Sequence, residues 1–169
     1  MTNLIHLVGE VNEEMFLHFS TQLAKIENLP DSSRHALNII LSSEGGTSYD
    51  GLAIASRMRS SPIKIYVEVH GKCMSAATII LAAGDYRTMG CQSWIMLHDS
   101  SGKVKGPLTE LCRAVEQLES EEQQWANLLE LYTGTPEEAW RKLSKKTTYL
   151  SASQALQLGL IDEIIKGKK

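Results

Sequence analysis

Short apolar runs alternate along the chain with segments whose apolar residues recur every three or four positions. Leu4 to Val8 is an apolar run ending at Gly9, and Met15, Phe16, Phe19, Leu23 and Ile26 then share one face of a predicted helix. Leu29-Pro30-Asp31 stops that helix. Ala36 to Leu41 reads as a buried strand, followed by the small and polar stretch Ser42 to Ser48. Tyr49 to Met58 predicts a second helix, with Leu52, Ile54, Ala55 and Met58 as its apolar positions and Pro62 as its breaker.

Ile63 to Val69 alternates, placing Ile63, Ile65, Val67 and Val69 on one side of a strand. It runs into Gly71-Lys72-Cys73-Met74-Ser75, and the small and apolar residues Ala76 to Ala83 suit a helix packed tightly on a sheet. Tyr86 to Met89 and Ser93 to His98 are strand candidates, the second ending in a polar loop from Asp99 to Pro107. The longest predicted helix, Leu108 to Tyr132, carries Leu111, Val115, Leu118, Trp125, Leu128 and Leu129 as apolar positions and is capped by Gly134. Thr135-Pro136 starts a short helix to about Leu143, Ser151-Ala152-Ser153-Gln154 starts another that ends at Leu158-Gly159, and Leu160 to Ile165 is the last strand. This order predicts one α/β domain with a largely parallel sheet, without repeats or an interdomain linker. Such folds place ligand chemistry at the carboxyl ends of strands.

Composition narrows the function classes. The chain has 169 residues, a formal net charge of −3, 43% hydrophobic and 22% charged residues, which fits a single ordinary globular domain. No window combines dense Lys and Arg with interleaved aromatics, so nucleic acid is not the expected partner, and the basic cluster Lys166-Gly167-Lys168-Lys169 reads as a solvated tail. Cys73, Cys91 and Cys112 form no C-x-x-C pair, which indicates neither a disulfide framework nor a zinc site, and no metal or cofactor is expected. Met1-Thr2-Asn3-Leu4-Ile5-His6 lacks the basic and apolar regions of a signal peptide, and no window approaches the roughly 18 apolar residues of a membrane span. The expectation is a cytoplasmic protein without a membrane partner.

Three loops at predicted strand ends could carry chemistry. Gly45-Gly46 could present backbone N–H groups to a ligand with no Cβ in the way, or could be a simple turn. Ser75 stands where a strand passes into a helix, so its hydroxyl would project beside the N–H of Ala76, as nucleophile beside oxyanion donor or as a helix-capping serine. His98 ends an apolar strand and could take and return the hydroxyl proton, or could be a structural histidine. His70 also ends a strand, but it lies on the strand that leads into Ser75 and is expected to point elsewhere.

Taken in order, Leu7-Val8-Gly9-Glu10-Val11, Gly45-Gly46, Gly71-Lys72-Cys73-Met74-Ser75-Ala76-Ala77, Ile95-Met96-Leu97-His98, Tyr149-Leu150-Ser151-Ala152 and Leu158-Gly159-Leu160-Ile161-Asp162 resemble the ClpP family, the proteolytic subunits of the ATP-dependent Clp protease. The resemblance covers nearly the whole chain. It implies a crotonase-like fold of repeated β-β-α units, with a head of about residues 1–107 and 147–169 and a protruding handle of about 108–146. It also implies that Ser75 is the nucleophile, His98 the general base, and the N–H groups of Gly46 and Ala76 the oxyanion hole. The implied activity is serine endopeptidase cleavage of peptides or unfolded proteins, through an acyl-enzyme, inside a homo-oligomeric chamber of heptameric or stacked rings fed by a Clp-type ATPase.

The departures from the pattern bear on activity. The family's triad aspartate falls at Thr147, which supplies no charge to the imidazole, and loss of that charge with geometry kept costs on the order of 10⁴ in rate in a serine triad. Asp99 follows His98 directly and should face the other way, which leaves Asp162 and Glu163 as further acidic candidates. Glu44 stands where the family usually has proline, the segment between Ser75 and His98 is about two residues short of the family length, and only Met1-Thr2-Asn3 precede the first strand, so docking to an ATPase through an N-terminal axial loop is not expected. Two other readings follow: a catalytically impaired structural or regulatory ring subunit, and an acyl-CoA enzyme of the wider crotonase superfamily, which would use the oxyanion hole without a Ser75–His98 pair.

Overall fold

The apolar runs form the middle of a seven-stranded sheet in a computed structural model that describes residues 3–30 and 35–167. Met1, Thr2, Asp31, Lys168 and Lys169, which figure in the sequence reading above, lie outside the described residues. The elements are β1 (Asn3–Val11), α1 (Glu13–Glu27), β2 (Leu37–Gly46), α2 (Ser48–Arg59), β3 (Ile65–Met74), α3 (Ala77–Ala82), β4 (Tyr86–Gly90), β5 (Trp94–Leu97), α4 (Leu108–Thr133), α5 (Glu137–Ser144), β6 (Thr148–Ser151), α6 (Ala152–Gln157) and β7 (Glu163–Ile165). The main path of the sheet is β1-β2-β3-β4-β7, all parallel; β5 joins β3 in parallel, and β6 joins β5. The β5–β6 pair is antiparallel, so the sheet is largely parallel with one exception.

Register follows the hydrophobic alternation. Ile5 pairs with Ile39, and Ile39 with Val67, and these residues with Leu7, Leu37, Leu41, Ile65 and Val69 turn to the helix-covered side. Their strand neighbours Leu4, Val8 and Tyr66 face outward, so a one-residue slip would exchange the two sets. Helix α1 begins where Asn12 Oδ1 accepts the Met15 N–H at 3.0 Å, a cap whose loss costs about 1 kcal/mol. It buries Met15, Phe19 and Leu23.

Several elements differ from the sequence expectation: β3 runs on past Val69 to Met74, and three others change for a long-range reason. β2 continues beyond Leu41 through Ser42–Gly46, because Ser43 pairs with Cys73 of β3 and its fully buried hydroxyl accepts the Gly45 N–H at 3.0 Å. β6 forms from residues read as the approach to a helix, because β5 offers it an edge. The last strand is shorter than predicted: Leu160 and Ile161 are buried but unpaired, and Asp162 turns to bind Arg87.

β3 does the most to place the site. Its first half, Tyr66 to Val69, pairs with β4, and its second half, Lys72 to Met74, pairs with β5. The change of partner falls at Gly71, whose φ of +75° needs the freedom of glycine. Ser93 fastens the bend, accepting the Gly71 N–H at 2.9 Å and donating to the Val69 carbonyl at 3.3 Å. The ends of β2 and β3 approach closely, since a Cβ on Gly45 would lie 2.6 Å from the Met74 carbonyl oxygen and 2.7 Å from the Ser75 Cβ.

Helix α4 buries only Ala126 and Leu129 near its C-terminal end, leaving Leu108 75% and Val115 55% exposed, and it stops at Gly134, whose φ is +76°. Arg87 holds that end to the sheet. Its side chain donates to both Asp162 carboxylate oxygens, at 3.0 and 2.8 Å, and to the Tyr132 carbonyl at 3.2 Å. Burial alone would raise the pKa of Asp162, but the Arg87 hydrogen bonds and charge together outweigh it and leave the carboxyl below its usual value.

Two outcomes follow. Asp162→Ala, which leaves the largely buried Arg87 guanidinium unpaired, is expected to cost about 3 kcal/mol in urea or thermal unfolding. The wild-type pair stabilises fully above the ordinary aspartate pKa, and its contribution declines as pH falls through the depressed folded-state value. Gly45→Ala, which combines a φ of +92° with contact against Met74 and Ser75, is expected to destabilise by about 2 kcal/mol or more in the same melts.

Candidate active site

Ser75 follows the last residue of β3 and precedes α3 in a sharp turn, with a φ of +50° that is uncommon for a residue with a side chain. Three hydrogen bonds hold it there. Its N–H donates to the Met96 carbonyl of β5 at 2.8 Å, and its carbonyl accepts from the Thr78 N–H at 2.9 Å and the Thr78 hydroxyl at 2.7 Å. Thr78 is fully buried, so this anchor is shielded from water. Ser75 does not cap α3 with its side chain: the N-cap is Ala76, and the serine hydroxyl points to His98.

His98 comes directly after β5, and its Nε2 lies 2.8 Å from Ser75 Oγ. Both residues are half-buried. The separation matches a hydroxyl-to-imidazole hydrogen bond. His70, the other histidine at a strand end, is exposed and bonds Glu68 Oε1 at 2.5 Å.

Gly46 and Ala76 line the same cavity as Ser75 and His98. Among the described residues the Ala76 N–H has no hydrogen-bond acceptor. Gly51 of α2 packs against this turn, since a Cβ there would lie 2.9 Å from the Ala76 carbonyl oxygen. The cavity measures about 470 Å³, within the range of small-ligand and side-chain pockets. Its floor is apolar, with Leu52, Ala126, Leu129 and Trp140, and its rim is polar.

The acidic candidates fall elsewhere. Asp162 is taken by Arg87, and Glu163 accepts from the Tyr86 hydroxyl at 2.7 Å. Asp99 acts on Glu122 of α4, whose pKa it helps raise, and makes no hydrogen bond to His98. Thr147 is exposed, just ahead of β6, with a φ of +46°, and its N–H donates to the Ser144 carbonyl at 3.0 Å. Among the described residues, no group hydrogen-bonds the His98 Nδ1. Glu44, at the family's proline position, pairs with Lys72 at 2.5 Å beside Gly45, and that bond and charge lower its pKa.

The rim holds groups that sequence reasoning passed over. The Tyr49 hydroxyl donates to Glu121, which bridges α2 and α4; that bond and the Gln117 amide lower the Glu121 pKa. Glu122 has its pKa raised, by burial first and then by the nearby Asp99 carboxyl. The spacing of Leu118, Glu121, Glu122, Trp125 and Leu129 on one face of α4 was a readable signal, but nothing local said which surface that face would meet. None of the free cysteines lines the cavity, and burial raises the Cys73 thiol pKa far above its usual value. Among the described residues, no three His, Cys, Asp or Glu side chains are grouped as metal ligands, and no helix is long and apolar enough to cross a membrane.

Comparison with known proteins extends the picture. The sequence profile of the Clp protease family matches residues 1–168. The ATP-dependent Clp protease proteolytic subunit 2 of Treponema denticola is 32% identical over 170 aligned positions, covering 99% of this chain and 84% of that subunit. A mutant of ClpP1 from Listeria monocytogenes superposes with a TM-score of 0.87 at 22% identity, over 98% of this chain and 92% of the other, which establishes the same fold. The α/β architecture and the sequence match over the full length agree, and the chain belongs to the Clp protease family.

Proposed function

We propose that the protein is a serine endopeptidase that cleaves peptides or unfolded polypeptides through an acyl-enzyme on Ser75. The observation that carries this reading is the 2.8 Å approach of His98 Nε2 to Ser75 Oγ at the edge of a cavity. With the imidazole protonated on Nδ1, Nε2 accepts the hydroxyl proton as Oγ attacks the scissile carbonyl, then returns it to the leaving amine. The N–H groups of Gly46 and Ala76 stabilise the oxyanion, and the acyl group is released by water activated on the same histidine.

Thr147 at the family's aspartate position leaves the imidazolium without a carboxylate partner, so turnover is slow for this class. The handle is α4 with α5, and the exposed Leu108, Leu111 and Val115 on α4 suit contact with other subunits. The working unit is a homo-oligomeric ring or pair of rings in the cytoplasm. A second reading, an impaired ring subunit that supports an active relative, is favoured by the same lack of a partner on His98 Nδ1 among the described residues.

A fluorophosphonate probe is expected to modify Ser75 in the assembled oligomer, with no adduct in Ser75→Ala and labelling slowed about 10²-fold or more in His98→Ala, read by intact mass and peptide mapping. Absence of any adduct, under conditions where a control serine peptidase reacts, would leave the impaired-subunit reading. Thr147→Asp is expected to raise kcat/KM on an unstructured fluorogenic peptide about tenfold or more.

A further inference from the structure

The chain after His98 has no regular structure: residues 99–107 lie outside helix and strand and are exposed throughout. Its first residues nevertheless are held. Glu122 Oε1, on α4, accepts the Ser100 N–H at 2.9 Å, and the nearby Asp99 carboxyl helps raise the Glu122 pKa. Asp99, Ser100 and Glu122 all line the cavity that Ser75 and His98 share.

This matters because of what His98 lacks. A triad carboxylate on Nδ1 orients the ring as well as stabilising its charge. Here, among the described residues, the ring has a hydrogen-bond partner only on Nε2. Its placement therefore rests on the backbone to either side. Before it, Leu97 is fixed by pairing with Thr148 of β6; after it, the contact at Ser100 stops the loop from lifting away. A misplacement of about 1 Å at a reacting group can cost on the order of 10²-fold in rate.

We infer that Glu122 is a positioning residue for His98, holding the Asp99–Ser100 backbone against α4 so that the imidazole stays in line with Ser75 Oγ. The inference rests on the peptidase reading above. The surrounding charges do not supply a better partner. Glu121 is engaged by Tyr49 and Gln117, Arg141 donates to Gln123, and Lys145 acts on Glu122 only through its field.

The test uses the full-length assembled protein and three variants: Glu122→Ala, Glu122→Gln and Ser100→Pro. Glutamine keeps an acceptor for the Ser100 N–H; proline deletes that donor from an exposed loop residue. Glu122→Ala and Ser100→Pro are each expected to lower both kcat on a fluorogenic peptide and the rate of fluorophosphonate labelling of Ser75 about tenfold or more, with KM changed less than about twofold. Glu122→Gln is expected to restore both rates to within about threefold of wild type, and the Glu122→Ala/Ser100→Pro double variant to lose nothing beyond either single change. Thermal melts establish that each variant is folded. Labelling of Glu122→Ala at the wild-type rate, a loss in Glu122→Gln equal to that in Glu122→Ala, or a rise in KM with kcat unchanged would each overturn the inference. If wild type itself takes no label, the peptidase reading falls instead.

Discussion

The parallel pairing of β3 with β5 is the constraint on which the site depends. Lys72, Cys73 and Met74 pair with Trp94, Ile95 and Met96, and the next N–H along β3, that of Ser75, donates to the Met96 carbonyl. One ladder thus carries the serine at the end of one strand and the histidine just past the end of its neighbour. Their separation is set first by strand register, which is stiff, and the loop after His98 is held in turn at Ser100. Long side chains at either end could not achieve the same accuracy, because each free rotamer would have to be ordered separately.

Other features serve that pairing. The bend at Gly71, fastened by Ser93, releases β3 from β4 and makes room for β5. Gly45 and Gly51 let β2 and α2 close against the Ser75 turn at distances a Cβ would not allow. The buried Thr78 ties the first turn of α3 back to the Ser75 carbonyl through two donors, which offsets part of the cost of the unusual backbone angle there. On the other side, Arg87 links β4, the turn before β7 and the end of α4, so the helix that walls the cavity stays registered with the sheet.

Most of this framework was legible in the sequence, and the reasons are local. Alternation from Ile63 to Val69, the helical spacing from Met15 to Ile26, the small residues after Ser75 and the run from Leu108 to Tyr132 each encode an element in their own neighbourhood. Ser75 and His98 stood out because both sit at strand ends in an α/β pattern. What stayed hidden depends on partners distant in sequence. Ser42–Gly46 is polar and small, and it is a strand only because β1 and β3 flank it; Thr148–Ser151 is a strand only because β5 has a free edge. Asp162 could be set aside as a partner for His98 only once Arg87 was seen to hold it, and the hold of Glu122 on Ser100 joins residues with no shared motif.

The strained backbone at Ser75 has a consequence for the chain before it is folded. A φ of +50° costs about 1 kcal/mol for a residue with a side chain, and the contact with Thr78 three residues on holds only one side of the turn. It persists because Met96 and Thr78 bond the Ser75 backbone, and Met96 faces Ser75 only when β5 is paired with β3. In the unfolded chain Ser75 is therefore an ordinary alcohol, with no fixed distance to His98. The Ser75 hydroxyl has its present surroundings only in the folded chain, where β5 lies against β3.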